Sequence, residues 1–159
     1  MTTAMTKTTA TTKTTATTKL VAGPRTGAVD CAGAEVRAHY RHRATVVTIR
    51  GEIDAVNVDQ ISERVRHFVL GDTPVVLDLS AVTHFSSAGI GLLCVLDEEC
   101  RGADVAWMIV VSPVVSTLLG EPDEAAFPVT TSVHEALRNL ADAVAWRRQL
   151  VLPLVKKSA

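Results

Sequence analysis

Aromatic side chains are scarce in this 159-residue chain: two Trp, one Tyr and three Phe, 4% of the residues against 47% hydrophobic overall. A core must then be built from Val, Leu, Ile and Ala, the composition of an α/β protein whose central strands are aliphatic and covered on both faces. The length allows one ordinary domain with little left for a second, and a core of that size is stable without staples. Cysteine is confined to Cys31, Cys94 and Cys100. An odd number at irregular spacing makes no disulfide framework and reads as reduced thiols in the cytosol, with a redox role for Cys31 or Cys100 as the alternative. No apolar run approaches the ~18–20 residues that cross a bilayer. The N-terminal lysines are not followed by the hydrophobic stretch of a secretory signal. The expectation is a cytoplasmic protein with no membrane span.

Several chemistries lack their residues. Gly89-Ile90-Gly91 is not a dinucleotide-binding glycine pattern, and no phosphate-binding G-x-x-x-x-G-K sequence occurs, so no nucleotide cofactor is expected. His39 and His42 have a spacing that could pair on a metal, but no Cys or carboxylate cluster completes the set, which leaves exposed hairpin histidines and no metal. Ser87, His84 and Asp78 could be drawn as a hydrolase triad, yet the G-x-S-x-G elbow is missing and Asp78 is better placed to anchor loop amides. The net charge is −1, and residues 1–19 contain Lys7, Lys13 and Lys19 with no acid, so the remainder carries −4. A mildly acidic body excludes the basic stripe of a nucleic-acid binder.

The first nineteen residues are low complexity. After Met1 they fall into three hexads, Thr2–Lys7, Thr8–Lys13 and Thr14–Lys19, with eleven threonines and almost nothing apolar to bury. That is the composition of a disordered tail. Its exposed threonines, Thr2 among them, also form a candidate phosphoacceptor segment. Residues 20–34 read as a linker, broken by Gly23-Pro24 and Gly27.

The body runs over residues 35–146. Val36–Tyr40 and Ala44–Arg50 are predicted strands with His42-Arg43 in the turn between them. Gly51-Glu52-Ile53-Asp54 is predicted as a polar loop. Val58, Ile61, Val65, Phe68 and Val69 share one face of a helix over 56–70, closed by Gly71. Pro74–Leu79 reads as a strand buried on both faces, Ser80–Phe85 as a connection, and Ala88–Arg101 as a helix. Val105–Val111 is a further strand. Ser112 and Pro113 start a short helix as N-cap and first residue. Phe127–Thr130 could be a last strand, and Ser132 with Glu135 forms a capping box for a helix to Trp146. Residues 147–159 form a C-terminal extension, a short apolar run between basic pairs in which Pro153 argues against a continuous helix. The order ββαβαβαβα implies an α/β domain with a mixed sheet covered by helices.

Three segments resemble one family at once. Gly51-Glu52-Ile53-Asp54 is similar to the G-E-(L/I)-D loop of STAS domains, the anti-sigma-factor antagonists. Val76-Leu77-Asp78-Leu79-Ser80 resembles that family's central strand, and His84-Phe85-Ser86-Ser87-Ala88-Gly89-Ile90-Gly91 its F-x-D-S-(S/A)-G-(L/I)-G switch loop with a shorter lead-in. The layout matches in order over residues 35–145. The resemblance implies a non-enzymatic partner switch in transcription and stress response. The unmodified antagonist binds an anti-sigma factor, often itself a serine kinase, and so releases a sigma factor. Phosphorylation of one serine breaks that complex, and a phosphatase restores it. Carried over by position, the acceptor is Ser87, and Ser86 stands where the family keeps an Asp. The implied docking residues are Gly51, Glu52, Asp54, Ser86, Ser87, Gly89 and Gly91, in a monomer or weak dimer.

Helix chemistry supports the placement independently. A strand-to-helix junction at Ser87 offers free amides and the positive end of the helix dipole to an anion. The bland alternative is that Ser87 is an unmodified helix-start residue, with Ser86 as the cap. In that case the chain is a STAS scaffold, for instance an accessory subunit of a lipid transporter, without phosphorylation.

Overall fold

Short and β-branched residues alternate through the first hairpin, and the sheet grows from it. A computed structural model describes residues 27–69, 71–120 and 126–155. The threonine-rich tail, Thr2 included, lies outside the described residues. The elements in chain order are β1 (Val29–Asp30), β2 (Ala34–Arg41), β3 (Ala44–Ile53), α1 (Val58–Val69), β4 (Val75–Phe85), α2 (Ser87–Gly102), β5 (Trp107–Val111), α3 (Pro113–Leu119), β6 (Val129–Thr130) and α4 (Val133–Val155). The six strands lie in one sheet in sequential order. The first three are antiparallel and the rest join in parallel. The predicted α/β class and mixed sheet are found, with one added two-residue strand, β1, at the edge.

Alternation decides which side of each strand is dry. Ile49, Ile53, Leu77 and Leu79 pack with Ile61 and Val65 of α1 and Leu92, Leu93 and Leu96 of α2 in one cluster. On the opposite face Ala44, Val46, Val76 and Val110 lie under Ala136, Leu137 and Leu140 of α4. Burial of Ile61, Val65 and Val69 contributes about 1.5–3 kcal/mol apiece, before conformational entropy is charged against it. The half-exposed ion pair Arg66–Glu99, 3.3 Å long, adds about 0–1 kcal/mol. Apolar burial therefore holds α1 and α2 together.

α4 covers only the beginnings of the strands. Further along the same face Thr48 and Arg50 of β3 stand opposite Arg37 and Glu35 of β2, a polar sheet surface with no helix over it among the described residues.

Five boundaries depart from the sequence pattern. The predicted linker over 20–34 contains β1 and the start of β2 at Ala34, with Cys31 and Ala34 buried in the core, so the domain begins before residue 35. β3 continues through Gly51, Glu52 and Ile53, where a loop was predicted. β4 continues through Ser80–Phe85, where a connection was predicted, because two register shifts against β3 break the alternation that marks a strand. After Leu79 the buried positions are Val82 and Phe85, three apart rather than two. β5 starts at Trp107, not Val105. α4 runs past Trp146 and through Pro153 to Val155; a proline in the last turn forfeits one backbone bond and leaves the rest intact. The Ser132 cap is made, its Oγ accepting the Glu135 amide at 3.1 Å. The Glu135 carboxylate bonds the amide and hydroxyl of Thr131 rather than the Ser132 amide, which holds its pKa below the usual range.

The β2–β3 hairpin closes through a two-residue turn in which His42 (φ 49°) and Arg43 (φ 63°) are both left-handed. That turn matches the strand twist but favours Asn and Gly, and the side chains here are strained by about 1 kcal/mol each. Replacing His42→Asn with Arg43→Gly is expected to raise stability by about 1 kcal/mol, read as a higher urea midpoint at unchanged slope. A lower midpoint would mean that these side chains hold contacts worth more than the strain.

The three thiols are free, with Cys31 and Cys100 buried and Cys94 exposed, so the expectation of reactivity at Cys31 or Cys100 is not met by their surroundings. Burial, with Asp97 and Glu99 nearby, pushes the Cys100 thiol up to about 12, and burial raises Cys31. The thiolate is the reactive form. Alkylation of the folded protein at pH 8 is expected to modify Cys94 alone, as read by mass, and all three thiols only after unfolding.

Candidate functional site

Strands β3 and β4 run parallel and stay paired to their last residues, Glu52 opposite His84 and Ile53 opposite Phe85. The Ser86 amide then donates to the Ile53 carbonyl at 2.9 Å. The chain therefore leaves the sheet twice at one place, once at Asp54 and once at Ser86, and each exit starts a helix. Candidate residues 32 positions apart in sequence are neighbours because of this single pairing.

The first exit is held by side chains. Asp54 Oδ1 accepts the amides of Val56 (2.8 Å) and Asn57 (3.2 Å). Asn57 Oδ1 accepts the Asp54 amide in return, at 3.0 Å. Asn57 is fully buried, and its Nδ2 donates to the carbonyls of Ala32 (3.2 Å) and Glu52 (2.8 Å). One side chain thus ties the β1–β2 turn, the end of β3 and the start of α1. Asn57 was not among the sequence candidates; the available signal was an Asn, a preferred helix-start residue, directly before the α1 periodicity. Val56, beside it, is 80% exposed.

Gly51, a predicted docking residue, is half-buried and has a structural duty. Its φ is +95°, and a Cβ there would lie 2.4 Å from the Gly33 carbonyl oxygen. That carbonyl accepts the Glu52 amide at 3.0 Å. Glu52 itself is exposed and Asp54 half-buried.

At the second exit Ser86 occupies the N-cap position with extended backbone, but its side chain makes no capping bond. The Gly89 amide it was expected to satisfy is taken by Ser86's own carbonyl at 2.9 Å, and the Ser86 Oγ is buried without a partner. Ser87 is the first residue of α2 and is exposed. Gly89 is buried: a Cβ there would lie 2.3 Å from the Phe85 ring, so Gly89 seats that ring rather than flattening the surface. Gly91 is exposed, with open space where a Cβ would point. Ser87, Gly91, Cys94 and Glu98 follow one another at helical spacing along the outer face of α2, and all are exposed. α3 packs along β4 beside this end of the sheet and exposes Val114 and Leu118.

The structure therefore brings Glu52, Asp54, Ser86, Ser87 and Gly91 to one end of the sheet, with Gly51 half-buried beside them and Gly89 buried beneath. Asp78 bonds the amide (3.0 Å) and hydroxyl (2.6 Å) of Ser80, a local anchor with no bond to His84 or Ser87. Among the described residues no group of three or more His, Cys, Asp or Glu is gathered for a metal. What the surface presents is a mixed polar and apolar patch with a hydroxyl at a helix N-terminus. It is suited to docking rather than to enclosing a substrate.

A STAS domain family model matches residues 34–119. "Osmosensory protein A" of Mycobacterium tuberculosis is 60% identical over 141 residues, covering 86% of this chain and 89% of that protein. An anti-sigma factor antagonist from Mycobacterium paratuberculosis has a solved structure that aligns with a TM-score of 0.59 at 24% identity, over 68% of this chain and 94% of that one. The anti-sigma factor antagonist SpoIIAA in its unphosphorylated form aligns with a TM-score of 0.56 at 14% identity, over 67% and 96%. Both structural likenesses are of fold.

Asn57→Ala would strand two carbonyls and an amide inside the molecule. It is expected to cost about 3 kcal/mol, measured by urea unfolding. A loss below about 1 kcal/mol would show that the β3–α1 exit does not depend on this side chain.

Proposed function

The chain belongs to the STAS domain family, and from that premise we propose that it is an anti-sigma-factor antagonist that works by partner switching at Ser87. The family is one of regulatory binding proteins, not enzymes. The observation that carries the proposal is the convergence of the β3 and β4 exits, which puts the exposed Ser87 on one surface with Glu52, Asp54 and Gly91. In this reading an anti-sigma factor docks on that surface and lets its sigma factor go.

Phosphorylation of Ser87 by a Ser/Thr kinase ends the association, and a phosphatase reverses it. The physics supports a surface switch rather than a refolding switch. A phosphate at the start of α2 is accommodated by the helix dipole and the unpaired amides of the first turn. It adds about −1.5 to −2 charges beside Glu52 and Asp54. Burying that charge against a partner with no cation opposite costs several kcal/mol, enough to dissolve a nanomolar-to-micromolar complex. Ser86, standing where the family keeps an acid, leaves the unmodified surface one charge less negative. The modification therefore changes the charge of this face by a larger fraction than in relatives with the Asp.

The tail threonines, Thr2 included, form a second acceptor segment outside the docking domain. The name of the 60%-identical relative fits an osmotic input to such a switch. Among the described residues no helix is long and apolar enough to cross a membrane, and the proposed site of action is the cytoplasm.

Pull-down of the host's anti-sigma factors with wild type, Ser87→Ala and Ser87→Glu tests the proposal. Wild type and Ser87→Ala are expected to capture the same anti-sigma factor. Ser87→Glu should bind it at least tenfold more weakly, consistent with the cost of burying an unpaired charge. Equal retention by the Glu and Ala variants would rule out the Ser87 switch. Capture of a transporter ATPase in place of an anti-sigma factor would assign the chain to a scaffold role.

A further inference from the structure

Helix α4 is 23 residues long, about 35 Å at 1.5 Å per residue, yet only its first half lies on the sheet. Ala136, Leu137 and Leu140 are buried. From Ala141 to Leu150 every residue is exposed except the half-buried Val144. Arg147 tethers this stretch, its Nη1 donating to the Asp104 carbonyl and carboxylate, each at 3.3 Å. Trp146 and Leu150, one turn apart, are 64% and 56% exposed.

A helix that leaves its domain for water is ordinarily polar. This one exposes Trp146 and Leu150, and the sequence that follows is apolar. Leu150-Val151-Leu152-Pro153-Leu154-Val155 contains no polar residue, and it is bracketed by Arg147-Arg148 and Lys156-Lys157. No acid follows Asp142, so residues 143–159 carry +4, while residues 20–142 carry −8. The charge separation along the chain is larger than the net −1 suggests.

We propose that the C-terminal end of α4 is a docking element for an anionic lipid surface. Trp146 and Leu150 enter the boundary between headgroups and acyl chains, and Arg148, with the Lys156-Lys157 pair that follows in the sequence, supplies the positive charge that attracts the lipid phosphates. The composition favours lipid over a protein partner: an exposed Trp flanked by Arg and Lys, with no acid after Asp142, is what is enriched at bilayer interfaces and drawn to anionic lipid. The run is too short to span, so the association is peripheral and reversible. The geometry fits the partner switch as well. The Ala141–Arg148 stretch of α4 lies beside Asp72–Pro74 and Asp104–Ala106, where β4 and β5 begin. The docking surface lies where β3 and β4 end. A lipid-bound chain therefore holds Ser87 away from the bilayer.

The test uses the full chain with phosphatidylcholine vesicles, pure or containing about 30% phosphatidylglycerol, read by co-sedimentation and by quenching of tryptophan emission with brominated lipid. Binding is expected on the anionic vesicles at least tenfold tighter than on the neutral ones, and should be lost at about 0.5 M salt. Emission should be quenched in wild type but not in Trp146→Phe, since Trp107 is buried. Joint replacement of Arg148→Gln, Lys156→Gln and Lys157→Gln, which leaves the Arg147–Asp104 tether in place, should weaken binding about a hundredfold. Equal partition between the two vesicle types would overturn the proposal, as would a triple variant that binds like wild type. Concentration-dependent self-association abolished by Trp146→Ala, without vesicle binding, would assign the face to a second copy of the chain.

Discussion

The parallel pairing of β3 with β4, carried to the last residue of each strand and closed by the Ser86 amide on the Ile53 carbonyl, is the constraint on which the docking surface depends. Without it, the Asp54 turn and the start of α2 would be separate loops. With it, two strand ends become one rim, and both helices rise from that rim with their N-termini exposed. Asn57 then fixes the first exit by bonding three segments at once, and Gly89 fixes the second by admitting the Phe85 ring. A rigid rim suits the proposed switch, whose signal is the charge of one added phosphate. The charge has only to oppose a partner, and the scaffold beneath it stays as it is.

Much of this was legible in the sequence, and the limits are instructive. Aliphatic strands such as Val75–Leu79 announce themselves because both faces are buried, and α1 does so because its buried positions keep helical spacing. The second half of β4 was hidden by its register shifts, which replace alternation with a three-residue spacing between Val82 and Phe85. Similarity of motif picked out residues that the fold brings to one end of the sheet, but could not tell exposed positions from supporting ones. Gly51 and Gly89 belong to the same short motifs as Asp54 and Ser87, yet one exists for a close backbone approach and the other for an aromatic ring. Asn57 left only a generic helix-start signature, because its three bonds go to backbone atoms whose positions depend on tertiary structure. The end of α4 was misjudged for a related reason: a proline is a strong breaker in a helix interior and a weak one in its final turn.

The molecule divides its labour by region. The rim at the ends of β3 and β4 carries the proposed switch, and α1 and α2 back it with the larger apolar cluster. The opposite face of the sheet is half covered by α4 and half polar. The C-terminal sequence concentrates positive charge and apolar residues, and the exposed stretch of α4 that leads into it lies beside the beginnings of β4 and β5, away from the rim. These regions share the core but not their chemistry, so a modification at Ser87 and an event at the α4 tip can act without disturbing each other's contacts.

The most direct test of the central claim, that two strand exits form one docking surface, is amide hydrogen exchange of the complex with a captured anti-sigma factor. Slowed exchange should appear together at residues 52–57 and 86–91 and be absent from β2 residues 35–41 on the uncovered sheet face. Protection confined to one of the two exits, or centred on β2 and α4, would contradict the account.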